Sequence, residues 1–140
     1  MFDKILVAID GSESSLKALD TAISIAEQQQ SQIALIAVGK RVVFPSMVGV
    51  DLNQINDAMK EEYQRILKEA QARADSKALT SMIIYREGDP AQQILELSQK
   101  GCYDLIVMGS RGLGGLREVI LGSVSHKVSQ LARCPVLIIK

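Results

Sequence analysis

The chain is predicted to be an α/β protein: a five-stranded parallel open sheet in the order 3-2-1-4-5, helices on both faces, Rossmann-like. Three observations carry this. Short, continuous apolar runs alternate from end to end with stretches of helical period, as strands covered on both faces and their crossover helices should. Right-handed crossovers leave few arrangements for such a string of elements. And five of the ten glycines fall between Gly109 and Gly122, between an apolar run and a helical one. That is where such sheets hold phosphates, because bare backbone and the free N–H groups of a helix start can approach an anion closely.

Ile5-Leu-Val-Ala-Ile9 is the first strand, broken by Asp10-Gly11-Ser12. Leu16, Leu19, Ile23 and Ala26 mark one face of a first helix, with Ser12 as N-cap and Glu13 in its first turn. Ile33 to Val38 is the second strand. Residues 39–51 have no clean period and read as a long loop, of the kind that is usually functional or mobile. Leu52, Ile55, Met59, Ile66, Leu67, Ala70 and Ala74 form the buried stripe of a long second helix, with Glu61–Arg65 and Glu69–Arg73 as i,i+4 pairs on its wet side. Met82 to Tyr85 is the third strand. Asp89-Pro90 starts a third helix with a cap and a proline at its first position; Ile94 and Leu97 face the core, and Gly101 is expected at C′. Leu105 to Met108 is the fourth strand. Val124, Val128, Leu131 and Ala132 mark the last helix, and Val136 to Lys140 the fifth strand.

In this order the topology reverses between the first and fourth strands, and ligands bind at the carboxyl ends of strands at such a point. The two most punctuated strand ends, Asp10-Gly11-Ser12 and the Gly109 loop, are thereby brought side by side. At 140 residues the chain is expected to form one domain, 1–140, with 47% hydrophobic and 23% charged residues. Sixteen basic residues cancel sixteen acidic ones, so no global charge favours nucleic acid or an anionic membrane. No apolar run approaches a membrane span, and Met-Phe-Asp-Lys enters a strand without a leader, so a cytoplasmic protein is expected. Cys102 and Cys134 have no metal-ligand spacing and read as interior or near-surface residues, and the single His126 as a solvated one.

Several phosphate chemistries are excluded. No glycine-lysine-serine/threonine ending supplies a Walker A loop. The dinucleotide fingerprint is broken by Arg117 and stands after the wrong strand. The third strand ends in Tyr85-Arg86-Glu87, without the phosphoacceptor aspartate of a receiver domain, and one histidine cannot make the histidine-rich motif of the adenylyltransferases.

What fits is a two-part spacing, Gly109-x2-Gly112-x9-Gly122-Ser123. It resembles the ATP-binding signature of the universal stress protein family. The first strand with Asp10-Gly11-Ser12, the Gly88-Asp89-Pro90 turn, Asp104 to Gly109, and Cys134-Pro135-Val136-Leu137 resemble that family too, so the likeness runs along the whole chain. The resemblance implies adenine and ribose contacts near Ala8, Asp10 and Val38. It implies phosphate contacts at Gly109, Gly112, Gly122, Ser123, Val124 and Ser125, with Met108 lining the pocket. It implies ATP as ligand, or ADP or AMP, accompanied by Mg2+ or Mn2+, in the nucleotide-binding branch of the family. Ala8 and Ala37 depart from the proline (or valine) and histidine that members often carry, without removing a phosphate contact.

The chemistry is coherent. Asp10 can accept ribose hydroxyl hydrogens or help hold a metal, or it can cap the first helix; the N–H groups at the last helix start suit a triphosphate. Arg111 and Arg117 either add charge to the site or stay solvated. The loop holds no lysine and no glutamine is clearly placed, so no catalytic set is complete. The expected function is an ATP-binding regulatory, stress-response protein; the alternatives are a slow ATPase and a dimeric interaction protein in which nucleotide is incidental. The apolar last strand would be an edge, and an unpaired edge invites pairing, so a homodimer through residues 136–140 is expected.

Overall fold

The computed structural model describes residues 1–43, 49, 51–111 and 121–140. Its strands are β1 (Lys4–Ala8), β2 (Gln32–Gly39), β3 (Ser81–Glu87), β4 (Leu105–Gly109) and β5 (Val136–Ile139). The helices are α1 (Glu13–Gln29), α2 (Leu52–Asp75), α3 (Pro90–Lys100) and α4 (Ser123–Leu131). The sheet is parallel throughout, in the predicted order β3-β2-β1-β4-β5. Pairings such as Ile5↔Ile33 and Ile5↔Leu105 set its central register.

Both faces are covered, which is why β1 from Ile5 onward and β4 carry no charged or polar side chain. Ile5, Val7 and Ile9 point into a core completed by Leu19, Ala22 and Ala26 of α1 and Leu67, Ala70 and Ala74 of α2. Leu6 points the other way, against Ile36, Ile106, Ala91 and Ile94 of α3 and Val128 of α4. Ile5, Leu6, Val7, Leu19 and Leu35 are completely buried, each stabilising the fold by about 1.5–3 kcal/mol through burial. At the amino end of the sheet the Asp104 carboxylate accepts from the N–H groups of Asp3 (3.0 Å) and Lys4 (3.2 Å), tying β1 to the start of β4.

The caps follow from side-chain chemistry. Ser12 accepts from the Ser15 N–H, Asp51 from Asn53 and Gln54, and Asp89 from Gln92, with Pro90 in the first turn where its missing N–H costs nothing. The α1 stripe is Ser15, Ala18, Leu19, Ala22, Ile23 and Ala26; Leu16 lies about 100° off it, one residue along, and is 39% exposed.

Three local expectations are corrected. At α3, Gly101 has φ −85° and the left-handed residue is Cys102. The glycine is needed for a different reason: a Cβ there would lie 2.8 Å from Cδ2 of the Tyr103 ring and 3.0 Å from the Leu97 carbonyl oxygen. On α2, Arg65 pairs with Glu62 and Glu69 rather than with Glu61, and Arg73 leaves its own helix for Asp20 of α1 at 2.9 Å. Finally, the α2 stripe is deeply buried only at Leu67, Ala70 and Ala74, while Ile55 is 39% exposed. The 24-residue helix runs about 36 Å, against about 23 Å for the 7-residue β3 it covers. Its amino-terminal half therefore overhangs the carboxyl end of the sheet.

Candidate functional site

β1 and β4 are neighbours, yet α1 and α4, which follow them, pack on opposite faces. A crevice opens at their carboxyl ends. On the β1 side, the Ile9 N–H extends the ladder to the Ile36 carbonyl (2.8 Å), and Gly11 then turns the chain with φ +86°. Only glycine adopts that conformation without strain. Asp10 Oδ1 accepts from the Ser12 N–H at 2.8 Å, fixing the turn, while Ser12 caps α1. Asp10 Oδ2 has no hydrogen bond among the described residues and stays available.

On the β4 side the chain passes through buried Gly109 and Ser110, whose N–H donates to the Ile139 carbonyl at 2.8 Å. Gly109 lets the start of α1 sit against the strand: a Cβ there would lie 2.9 Å from the Ser14 carbonyl carbon. The Ser14 hydroxyl then donates to the Arg111 carbonyl oxygen at 2.7 Å. The two strand exits are thus bonded to each other across 97 residues of chain.

Where the glycine-rich segment returns, the Gly122 N–H donates to the Ser110 carbonyl oxygen at 2.7 Å. The buried Ser125 hydroxyl donates to the same oxygen at 2.8 Å and lies 3.1 Å from the Gly122 carbonyl. These bonds clamp the two ends of the split loop together. Gly122 is the N-cap of α4 and offers no side-chain bond, unlike Ser12, Asp51 and Asp89. The first-turn N–H groups of Ser123, Val124 and Ser125 precede the first intrahelical bond, from His126 N–H to the Gly122 carbonyl. Arg111 Cα lies 3.4 Å from where a Cβ on Gly122 would stand, and Arg111 Nη1 is buried with no hydrogen-bond partner among the described residues. Free N–H groups at a helix start and a guanidinium are both groups that suit an anion.

The structure brings Asp10, Gly109, Gly122, Ser123, Val124 and Ser125 to this crevice. Ala8, Val38, Met108 and Val124 share the apolar cluster on the α3/α4 face, with Met108 only 5% exposed. Gly112 and Arg117 lie outside the described residues. No three carboxylate, histidine or cysteine side chains converge among the described residues.

On the opposite face a groove of about 620 Å³ opens from Asp10 and Gly11 between α1 and α2, floored by Leu16, Met59 and Ile66. Tyr63 lines it, and burial, reinforced by the negative charge of Asp10, raises its hydroxyl above the ordinary tyrosine pKa and keeps it protonated at neutral pH. Tyr63 packs near Tyr85, with ring centroids 6.2 Å apart. Ser14, Tyr63 and the buried face of Arg111 are not singled out by sequence reasoning. The one available hint for Ser14 is the run Ser12-Glu13-Ser14-Ser15, with more hydroxyls than a helix start needs.

The Universal stress protein family profile matches residues 1–140, the whole chain. The chain belongs to the universal stress protein family. Among curated members, universal stress protein YxiE of Bacillus subtilis (strain 168) is 44% identical, with 100% of both chains aligned. Among solved members, UspA from Lactobacillus plantarum superposes with a TM-score of 0.88 at 24% identity, covering 99% of this chain and 98% of that one, which shows the shared fold. A universal stress protein solved in complex with cAMP has a TM-score of 0.75 at 28% identity, covering 99% and 97%. No helix of the described residues is long and apolar enough to cross a membrane.

Proposed function

We propose that this universal stress protein binds an adenine nucleotide, ATP in the first instance, in the crevice between the β1 and β4 exits, and that the bound nucleotide sets its regulatory state. The observation that carries this reading is Arg111: its Cα lies 3.4 Å from where a Cβ on Gly122, the N-cap of α4, would stand, and its Nη1 is buried with no hydrogen-bond partner among the described residues. A buried unpaired donor of this charge is costly, and an anion is the group that relieves it. The relative solved with cAMP, similar over nearly the full length, supports an adenine nucleotide over a bare phosphate.

In this reading the backbone N–H groups of Gly109, Gly112 and Ser123 to Ser125 meet the phosphates, with Gly122 leaving room for them. The Asp10 carboxylate accepts from the ribose hydroxyls, Ala8 and Val38 flank the base, and Met108 backs the pocket. Mg2+ or Mn2+ neutralises the phosphates alongside Asp10. The Ser125 hydroxyl already donates to Ser110, so its part is to hold the loop while its N–H faces the ligand. Hydrolysis would need an oriented water at the γ-phosphate as well as charge, and the loop sequence holds no lysine or glutamine to complete a catalytic set. Binding without turnover suits a protein whose occupancy is read by partners. Two free cysteines fit a reducing, cytoplasmic setting.

Denaturing the purified protein and analysing the released small molecules by chromatography and mass spectrometry should yield ATP, ADP or AMP. A preparation that releases none, and takes up none on incubation with ATP and magnesium, would contradict the reading. The homodimer belongs to the same proposal. β5 ends the sheet and its residues Val136 to Ile139 are only half-buried, so pairing with a second copy would cover the apolar edge. Light scattering should give twice the 15.2 kDa chain mass; a monomer at all concentrations would rule this pairing out.

A further inference from the structure

The overhanging half of α2 carries a bidentate contact that nothing in the glycine loop explains. Asn56 Oδ1 accepts from the Val42 N–H at 2.8 Å, and its Nδ2 donates to the Val42 carbonyl at 3.2 Å. A side-chain amide here copies a strand partner, satisfying both backbone groups of one residue just beyond β2. The same end of β2 is held on its other flank, where the Gly88 N–H donates to the Gly39 carbonyl at 3.1 Å and the Tyr85 hydroxyl fills the space a Gly39 side chain would take. Further along α2, Ile66 packs on Gly11, its Cδ1 2.9 Å from where a Cβ would stand. Residues 56, 63 and 66 follow one another at helical spacing, so one face of α2 braces the exits of both β1 and β2.

We infer that Asn56 is a positioning residue for the nucleoside half of the site: by latching Val42 it holds the Val38–Gly39 end of β2 in the geometry that receives the base. This rests on the nucleotide reading above and adds an element of the chain that reading does not use. Without the latch, the backbone beyond β2 samples more conformations, and ordering it again opposes binding. Fixing about one backbone residue corresponds to about a tenfold change in affinity. Since the latch acts beside the base, the loss should be independent of the number of phosphates.

The test uses the full chain with Asn56→Leu, which removes both bonds at a partly exposed helix position where leucine is a better helix former. Asn56→Asp, which keeps the acceptor for the Val42 N–H, is the partial rescue. Affinities for AMP, ADP and ATP are measured by calorimetry, and exchange of the Val42 amide hydrogen is followed without nucleotide. The expected result is faster Val42 exchange in Asn56→Leu, affinity lowered about tenfold for all three nucleotides, and an intermediate loss in Asn56→Asp. Unchanged affinities together with faster Val42 exchange would overturn the positioning role while leaving the nucleotide site standing. A loss that grows from AMP to ATP would overturn it too, by assigning the effect to the phosphate loop. If the unsubstituted protein binds none of the three, the nucleotide reading falls and this one with it.

Discussion

Gly122→Val is expected to weaken ATP binding by about 100-fold, the loss of about two charge-assisted backbone contacts, while the far-ultraviolet circular dichroism stays that of the parent. The reason is local. A Cβ at residue 122 would already lie 3.2 Å from the Ser110 carbonyl oxygen and 3.4 Å from Arg111 Cα, and valine adds two methyl groups to that approach. The clamp between Gly122 and Ser110 must open by a few tenths of an ångström or more. The start of α4, where the phosphates are proposed to bind, is then displaced. Neither φ nor the helix itself objects, since Gly122 has the extended conformation, φ −62° and ψ 161°, that any N-cap residue adopts. The loss should grow from AMP to ATP, because the damage is to phosphate contacts. Calorimetric titration of variant and parent checks this; equal affinities would show that the phosphates lie elsewhere.

Gly109→Val should act on the fold itself, lowering stability by about 3 kcal/mol and the thermal midpoint by roughly 10 °C. Here the obstacle is main chain. The new Cβ would stand 2.9 Å from the Ser14 carbonyl carbon and its Cβ, and would overlap its Oγ, so no side-chain rotation relieves it. Either α1 lifts from β4 or β4 shifts in the sheet, and in both cases the 2.7 Å bond from Ser14 to the Arg111 carbonyl is given up. Urea unfolding followed by circular dichroism measures the change. A loss below about 1 kcal/mol, within the range of ordinary substitutions, would mean that the close approach of α1 to β4 is not tight in solution. Two glycines of the signature thus have separate expected effects: Gly109 lets α1 approach β4, and Gly122 lets α4 start against Ser110.

What was legible in the sequence follows from which forces are local. Ile5-Leu-Val-Ala-Ile9 and Leu105-Ile-Val-Met108 read as strands because burial on both faces leaves no polar position, and topology rules then left few sheet orders, of which the expected one is found. The split glycine spacing predicts a segment that leaves the fourth strand and returns at Gly122 to a helix start; the clamp of Gly122 and Ser125 on Ser110 is a finding of the structure. Contacts between distant elements left no such trace. Ser14 meets Arg111 97 residues away, and Arg73 meets Asp20 53 residues away; neither residue has a local pattern that names its partner. Arg65 has carboxylates three and four residues before it and one four residues after it, and the spacing alone does not decide between Glu61 and Glu62. At Gly101 the ordinary association of glycine with a left-handed helix end misled, because the tight packing of Tyr103 needed the glycine and Cys102 took the positive φ. Asn56 was invisible for a further reason. Its partner is backbone, and every residue offers the same N–H and carbonyl.

The central claim, that this universal stress protein holds an adenine nucleotide at the β1–β4 crevice, is tested most directly by titrating nucleotide-stripped protein with ATP and magnesium in a calorimeter. The expected result is saturable heat with one ATP per chain, an affinity that falls from ATP to AMP, and no release of inorganic phosphate over the titration. No saturable heat from protein shown to be folded, with nothing released on its denaturation, would contradict it.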